Sequence, residues 1–182
     1  EEIKKIGHDD FFLSGTMIQP FKSYIELDCG RNYKEFNEKK LLSQYSKIKH
    51  DDYQGTHWQP SILATKMWNE VGGFSEEFSP GMGCDPDLNM KLWKKGVRIF
   101  KGLGQCRVYH FSSITLRKSN TTNNGAKTFL LKWGITIKFF KKFYLRTNQK
   151  FSALLLNPTK GISYYINLLI CKIRLFYFRV IG

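Results

Sequence analysis

Apolar and polar residues form blocks along the chain that alternate between strand and helix patterns. Residues 11–19 are apolar, partly β-branched and closed by Pro20, which is typical of a short buried strand. Three further apolar runs predict short strands at 61–65, 97–101 and 106–111. Because helical patterns separate these strands, the sequence predicts an α/β fold.

The clearest helix signal lies between two of these strands. Asp85 and Pro86 are arranged as an N-cap and a first helical residue, and Gly96 should end the helix. Leu88 and Leu92 lie four residues apart, so they share one face of it. We therefore expect a helix with one apolar face and one face open to solvent.

Three other helices are predicted from their caps. Asn32, followed three residues later by Glu35, has the spacing of a capping box. Thr65 is a candidate cap of a short helix that stops at Gly72. Thr136 can cap a third helix, in which aromatic and basic residues occupy different sides.

Charge is divided unevenly along the chain. Residues 1–87 contain all 15 acidic residues and ten basic ones, a formal charge of −5, whereas residues 88–182 contain 19 basic residues and no acid. Such an excess points to an anionic partner or surface. The hydrophobic content of 42% is enough for a sizeable core, so disorder is not expected.

Cysteine spacing and the chain start indicate the cellular setting. The four cysteines are far apart and form no C-x-x-C pair, which argues against a zinc knuckle or a dense disulfide framework and fits a reducing compartment. The first residues lack the apolar core of a signal peptide and look like a cut edge. We therefore expect an upstream segment.

The most specific motif follows Gly72. It consists of Gly-Gly-Phe at 72–74, an irregular loop at 79–84, Asp-Pro-Asp at 85–87, Leu-Asn-Met-Lys-Leu-Trp at 88–93, and Gly96. This pattern resembles the acceptor half of inverting glycosyltransferases of family 2, which have the GT-A fold. The resemblance extends from about Phe11 to Leu145 and is most specific over 56–111.

The resemblance implies a partial GT-A fold. Residues 1–127 would be the C-terminal part of that domain, and 128–182 a basic amphipathic helical tail. The family's metal-binding Asp-x-Asp motif would lie some tens of residues upstream of the first strand, and Asp9 and Asp10 are expected to form only a solvated turn. The nucleotide-binding half is therefore expected to be absent, which predicts that this chain is inactive alone.

The implied activity is transfer of a sugar from a nucleotide-sugar to a saccharide or lipid-linked acceptor, with inversion, as in polysaccharide biosynthesis. The family's general base is the Asp of a Glu-Asp pair at the helix start, and the register matches it to Asp85. An inverting transfer needs a carboxylate that takes the proton from the attacking hydroxyl. Cys84 stands in place of the Glu, so Asp87 is a second candidate. The structural alternative is an N-cap at Asp85 and a dipole-compensating acid at Asp87.

The resemblance also implies a divalent cation. Many GT-A enzymes have a histidine, here matched by His110, that ligates the cation beside the nucleotide diphosphate. Mg²⁺ or Mn²⁺ would neutralise the leaving diphosphate, and imidazole ligation favours Mn²⁺ somewhat. A structural histidine in a strand is the alternative.

Two further pairs are candidate binding residues. Trp58 and His57 resemble the region that lines the acceptor or sugar site, where an aromatic face can stack on a pyranose ring; Trp58 as a core residue is the alternative. Arg117 and Lys118 begin a polar loop and are candidates for closing over the diphosphate, or else are solvated loop charges.

The tail combines aromatic residues with lysine and arginine. It predicts peripheral attachment to the anionic inner face of the cytoplasmic membrane without crossing it, because three cations interrupt the apolar run at 162–181. Packing on a missing half or on a second subunit is one alternative. Nucleic-acid binding is another, which the lack of a recognisable binding motif disfavours.

Overall fold

Two long parallel strands are the centre of the fold. The computed structural model describes residues 1–21, 23–111 and 123–181. Its mixed sheet has the order β2-β1-β5-β3, with β4 also paired to β1. β1 runs parallel to β2 and β5, while β4 and β3 are antiparallel to their neighbours. The strands are β1 Phe11–Gln19, β2 Ile25–Glu26, β3 Tyr53–Gln54, β4 Ser61–Ile62 and β5 Ile99–Tyr109.

Helices accompany the sheet along the described chain, so the fold is mixed α/β, as predicted. A short 3₁₀ turn at Glu76–Phe78 precedes α4. The helices are α1 Glu2–Ile6, α2 Glu38–Tyr45, α3 Thr65–Val71, α4 Cys84–Lys95, α5 Gly125–Trp133, α6 Ile137–Phe139, which continues as a π-helical turn at Phe140–Leu145, and α7 Ile162–Val180.

The main core lies where these helices pack against one face of the sheet. Phe12 and Phe100 extend from the two central strands, and Leu88 and Leu92 of α4 are completely buried against them. The shared face predicted for α4 is thus confirmed. The opposite face of the sheet carries a smaller cluster that includes Leu13 and is covered by α1.

The strand prediction for 11–19 is confirmed, but the two strands predicted at 97–101 and 106–111 are one continuous strand, β5. Its register shifts: Gly15 pairs with Leu103, whereas Thr16 pairs with Arg107. The extra residues form a bulge, which keeps the strand in the sheet instead of ending it. Glycine is needed at position 104 of this strand, because a Cβ there would lie 2.0 Å from the His50 carbonyl oxygen.

Helix starts differ from the predictions by a few residues. α4 begins at Cys84, and its N-cap is Gly83 in the left-handed region at φ 92°, so Asp85 lies inside the first turn and the N-cap prediction is wrong. The predicted end at Gly96 is confirmed. Thr136 caps α6 as predicted, since its side chain accepts from the Phe139 N–H.

The other two predicted starts are wrong. Asn32 Oδ1 accepts from the N–H groups of Lys34 and Glu35, but in a turn; the helix begins five residues later, capped by Asn37. The predicted strand at 61–65 is only the short β4, and Thr65 is already the first residue of α3.

The helices after residue 127 belong to the main core. The expected division after that residue falls inside α5, whose Phe129 and Leu130 pack in the same cluster as Phe100. Leu145 in the π-helical turn and Cys171 in α7 are also buried there. Within the described residues, no helix is long and apolar enough to cross a bilayer.

The unequal charge of the two halves is partly neutralised by pairing. Seven of the nine ion pairs among the described residues join an acid of 1–87 to a lysine of 88–182. The buried Lys101 is the clearest case, with its ammonium 2.7 Å from Glu2 and 2.8 Å from Asp52. The lysines involved are Lys91, Lys95, Lys101, Lys132 and Lys150.

Replacing Gly102 with alanine should destabilise the fold. A Cβ at this position in β5 would lie 1.9 Å from the ring of Tyr53 on the paired strand β3. Overpacking of this kind costs about 1–3 kcal/mol of the free energy of unfolding, which urea denaturation measures.

The matched control is the same Gly102→Ala change in a Tyr53→Ala background. With the ring removed, the cost of the added methyl group should fall below about 0.5 kcal/mol. An equal cost in both backgrounds would show that the ring contact is not its cause.

Candidate active site

Asp85 lies half-buried in the first turn of α4, beside the loop that leads into β4. Its carboxylate accepts a hydrogen bond from the Gln59 side chain and a long one of 3.9 Å from the Cys84 thiol. Burial raises the pKa of Asp85 above its usual value of 3.8, and these two hydrogen bonds oppose the shift only in part. A carboxylate in this setting binds a proton more readily than an exposed one.

Gln59 is oriented for this contact. Its Oε1 accepts from the N–H of Ser61 at 3.0 Å and from the Ser61 hydroxyl at 2.6 Å. An amide whose oxygen is engaged in this way presents its NH₂ group to the carboxylate. The preceding residue, Trp58, donates its indole N–H to the Gly15 carbonyl in β1 at 3.4 Å. Gln59 thus contacts Asp85 directly, and Trp58 precedes it in the same loop.

Asn89 connects α4 to the same loop. It is completely buried, one turn after Asp85, and its Nδ2 donates to the Thr56 carbonyl at 3.0 Å. The Thr56 hydroxyl in turn is hydrogen-bonded to the Ser14 hydroxyl of β1. The loop that carries His57, Trp58 and Gln59 is thus held between α4 and the sheet. Asn89 is not among the residues predicted from the sequence, although an amide between the buried residues Leu88 and Met90 is a signal for such a link.

An aromatic cluster surrounds Trp58. Its ring stacks on Tyr53, with ring centroids 5.5 Å apart, and lies 5.2 Å from Tyr24. The His57 ring contacts its edge at 4.7 Å. Trp58 is half-buried, so both the packing role and the sugar-stacking role considered for it remain compatible with its position, and the latter stays a prediction.

His57 is held in the neutral form. Burial and, to a smaller extent, the positive charge of Lys141 lower its pKa to about 4. Its Nδ1 lies 3.3 Å from the Gly55 carbonyl oxygen, which can only accept, so Nδ1 carries the proton. Nε2 is then an unprotonated acceptor, suited to a hydroxyl donor.

Asp87, the second candidate base, is completely buried. Its Oδ1 accepts from the Trp133 indole at 2.7 Å and lies 2.9 Å from the Lys132 ammonium. Its Oδ2 accepts from the Ser75 hydroxyl at 2.7 Å and lies 3.6 Å from Lys91. These partners favour a structural role that ties α4 to α5 and to the turn after α3. A catalytic role for Asp87 stays a prediction.

His110 follows β5 directly. Its Nδ1 lies 2.9 Å from the side-chain nitrogen of Gln19, and its N–H donates to the Ile18 carbonyl. Within the described ranges, no group of three or more His, Cys, Asp or Glu side chains is placed to hold a metal ion. These residues therefore do not build a cation site by themselves, and the divalent cation and the His110 ligand stay predictions.

The remaining predicted pair, Arg117 and Lys118, lies outside the described residues. Their role at a diphosphate stays a prediction. Comparison of the chain with protein-family models, with curated proteins and with solved structures gives no match.

Asp87→Asn should lower stability, while Asp85→Asn should not. Removing the Asp87 charge leaves Lys132 and Lys91 without their buried partner, and the loss of one member of a buried pair costs about 3 kcal/mol. Asp85 is different, because its raised pKa means that folding disfavours its charged form at neutral pH. Urea denaturation of both variants at pH 7 measures the difference.

Asp85→Asn serves as the control, since it makes the same chemical change two residues away. Asp85 contributes to the free energy of unfolding of the wild type at acidic pH, and this contribution is lost as the pH rises through its pKa. At pH 7 the Asp85→Asn variant should therefore be as stable as the wild type or slightly more stable. Equal destabilisation by both variants would contradict the structural role given to Asp87.

Proposed function

We propose that the chain is the acceptor-binding half of an inverting glycosyltransferase that resembles family 2. In this proposal the α/β fold is part of a GT-A domain, and a sugar passes from a nucleotide-sugar to a saccharide or lipid-linked acceptor. The observation that supports it most is the environment of Asp85: a half-buried carboxylate with a raised pKa, hydrogen-bonded to Gln59, the residue that follows Trp58 in its loop. The motif around Gly72 and α4 supports it independently.

Asp85 is the general base. Its carboxylate takes the proton from the acceptor hydroxyl as that oxygen attacks the anomeric carbon, and burial raises its pKa toward neutral pH, where proton transfer is most effective. Gln59 holds the carboxylate in position through its amide. Asp87, the other carboxylate at the start of α4, does not have a comparable environment, because it is hydrogen-bonded or ion-paired to four partners.

The neighbouring loop binds the acceptor sugar. Neutral His57 accepts a hydrogen bond from a sugar hydroxyl through Nε2, and the Trp58 ring packs against the apolar face of the pyranose. Because Asn89 fixes the loop to α4, the acceptor and the base keep a constant relative position, which lowers the entropic part of the barrier.

Donor binding is assigned to a nucleotide-binding half outside these elements. His110, Arg117 and Lys118 are proposed to contribute to the cation and the diphosphate in the complete enzyme. The remaining ligands of that cation would come from the nucleotide-binding half.

Asp85→Asn should abolish transfer in an enzyme that carries this segment together with a nucleotide-binding half. The amide cannot accept the proton, so kcat should fall by about 10²- to 10⁴-fold while the acceptor KM changes little. The acidic limb of the wild-type pH profile should lie above pH 3.8, with activity lost as the pH falls and Asp85 becomes protonated. Initial rates of sugar transfer measure both.

The matched control is Asp51→Asn, an exposed carboxylate that forms an ion pair with Lys150 at 3.0 Å. It should retain wild-type turnover. Near-normal kcat in Asp85→Asn would reject Asp85 as the base.

A second function, attachment to an anionic membrane, is supported by α7. This helix has two apolar faces on opposite sides. The inner face packs on the core through Tyr164, Leu168, Cys171, Leu175 and Phe178. The outer face is exposed and includes Ile162, Ile166, Leu169, Ile173, Phe176 and Val180.

The cations of α7 lie between these two faces. At 100° per residue, Lys172 and Arg179 fall on one border of the outer face and Arg174 on the other. This arrangement suits a helix lying in the plane of a membrane, because the apolar face enters the acyl boundary while flanking cations meet anionic headgroups. A second copy of the chain on this face would place like charges together, which is unfavourable.

Leu169→Ser should weaken binding to vesicles that contain anionic lipid. Leu169 is 58% exposed on the outer face, and burying a leucine in the acyl boundary contributes about 1.5–3 kcal/mol, so the partition coefficient should fall about tenfold or more. Binding should also weaken between low and high salt. Vesicle sedimentation measures both.

The matched control is Leu42→Ser on α2, where the leucine is 65% exposed. It should leave vesicle binding unchanged. Failure of the wild-type chain to bind anionic vesicles at low salt, or a dimer in sedimentation velocity that Leu169→Ser disrupts, would contradict membrane attachment.

A further inference from the structure

A basic cavity of about 480 Å³ opens between α6, the π-helical turn and the segment that follows it. Four cationic side chains line it, together with the polar side chains of Thr147, Asn148 and Gln149. The four cations are Lys138, Lys141, Lys142 and Arg146. No acidic residue lines this cavity.

These cations differ from the other lysines of the second half. Five lysines after residue 87 are neutralised by acids of the first half, whereas none of the four around the cavity forms an ion pair with a described residue. Lys142 donates to the Ser163 hydroxyl, and Arg146 to the Leu156 carbonyl at 3.4 Å, but both of these partners are uncharged. The positive potential of the cavity is therefore uncompensated within the described chain.

Lys141 is the most unusual of the four. It is half-buried, and within the described chain its ammonium has neither a hydrogen bond nor an ion pair. Burial lowers its pKa, which shows that this ammonium is partly removed from water without a compensating partner. The π-helical turn brings Lys141 and Arg146 to one side, since its hydrogen bonds join residues five apart.

We propose that this cavity binds a phosphate or diphosphate group. Lys141 and Arg146 supply charge-assisted hydrogen bonds, and Lys138 and Lys142 add positive potential at the rim. The Tyr24 hydroxyl donates to Asn148 Oδ1 at 2.6 Å, which leaves the Asn148 NH₂ group as a further donor. A compact anion with several acceptor oxygens satisfies all of these groups together, which a single carboxylate does not.

The site goes beyond the proposed sugar transfer and does not depend on it. Two sources of phosphate fit its position. Lys142 contacts Ser163 in the first turn of α7, so the cavity lies beside the helix whose outer face is apolar, where a lipid headgroup is near. Lys141 also lies close enough to His57 to lower its pKa, so a soluble phosphorylated ligand beside the aromatic cluster is the other source.

The test is calorimetric titration of the whole chain with inorganic pyrophosphate at low salt. We expect saturable binding with a Kd on the order of 100 µM or tighter. Lys141→Met, which keeps the length of the side chain and removes its charge, should weaken binding about tenfold. Lys138→Met, at an exposed position where folding is not at risk, should weaken it about threefold.

The control is Lys39→Met on α2, an exposed lysine whose loss changes the net charge equally. It should alter the Kd less than twofold. Equal weakening by Lys39→Met and Lys141→Met, or no saturable binding by the wild type, would overturn the proposal.

Vesicles of phosphatidylglycerol and phosphatidylcholine distinguish the two sources. Displacement of pyrophosphate by vesicles, together with weaker vesicle binding of Lys141→Met, identifies a lipid headgroup as the source. Vesicle binding that is unchanged by saturating pyrophosphate and by Lys141→Met identifies a soluble phosphorylated ligand.

Discussion

The buried carboxylate of Asp87 is the contact on which the arrangement of α4 depends. It joins that helix to Trp133 and Lys132 of α5 and to Ser75 in the preceding turn, through hydrogen bonds and ion pairs of 2.7–2.9 Å. A buried charge is tolerated only when such partners satisfy it. Because the partners come from two segments outside α4, Asp87 fixes the position of this helix and so the position in which its first turn presents Asp85. Within one short motif, Asp87 thus has a structural role and Asp85 is the proposed base.

The division of charge along the chain has two distinct consequences. The acids of the first half hold lysines of the second half, so part of the segregation serves internal cohesion, as in the Lys101 pairs with Glu2 and Asp52. The described cations of the second half that form no ion pair include the four around one cavity and the three of α7. An overall formal charge of +14 therefore describes the surface poorly, since what matters for binding is which cations the acids leave available.

Local sequence signals predicted the elements that depend on neighbouring residues. They failed where contacts between distant segments determine the structure. The β1 run, the end of α4 at Gly96 and the Thr136 cap were predictable because each depends on residues close in sequence. The break expected within β5 was wrong because the bulge that continues the strand depends on its pairing with β1, which is distant in sequence. The contact of Gln59 with Asp85 and the isolation of Lys141 depend on chain segments far apart, which a single sequence does not bring together.

The hydrogen bonds that hold the loop of His57, Trp58 and Gln59 limit where this site can vary in sequence. Thr56 is hydrogen-bonded to Asn89 of α4 and to Ser14 of β1, so its loop is held to the helix that carries Asp85. In the proposed enzyme, substitutions that change the acceptor preference would then lie elsewhere around the site. The segment at 79–83 is the available place, because Gly81 and Gly83 adopt left-handed conformations there and Met82 is 53% exposed. Related chains that use different acceptors would accordingly differ in sequence at 79–83, while the sequence of α4 would stay nearly constant.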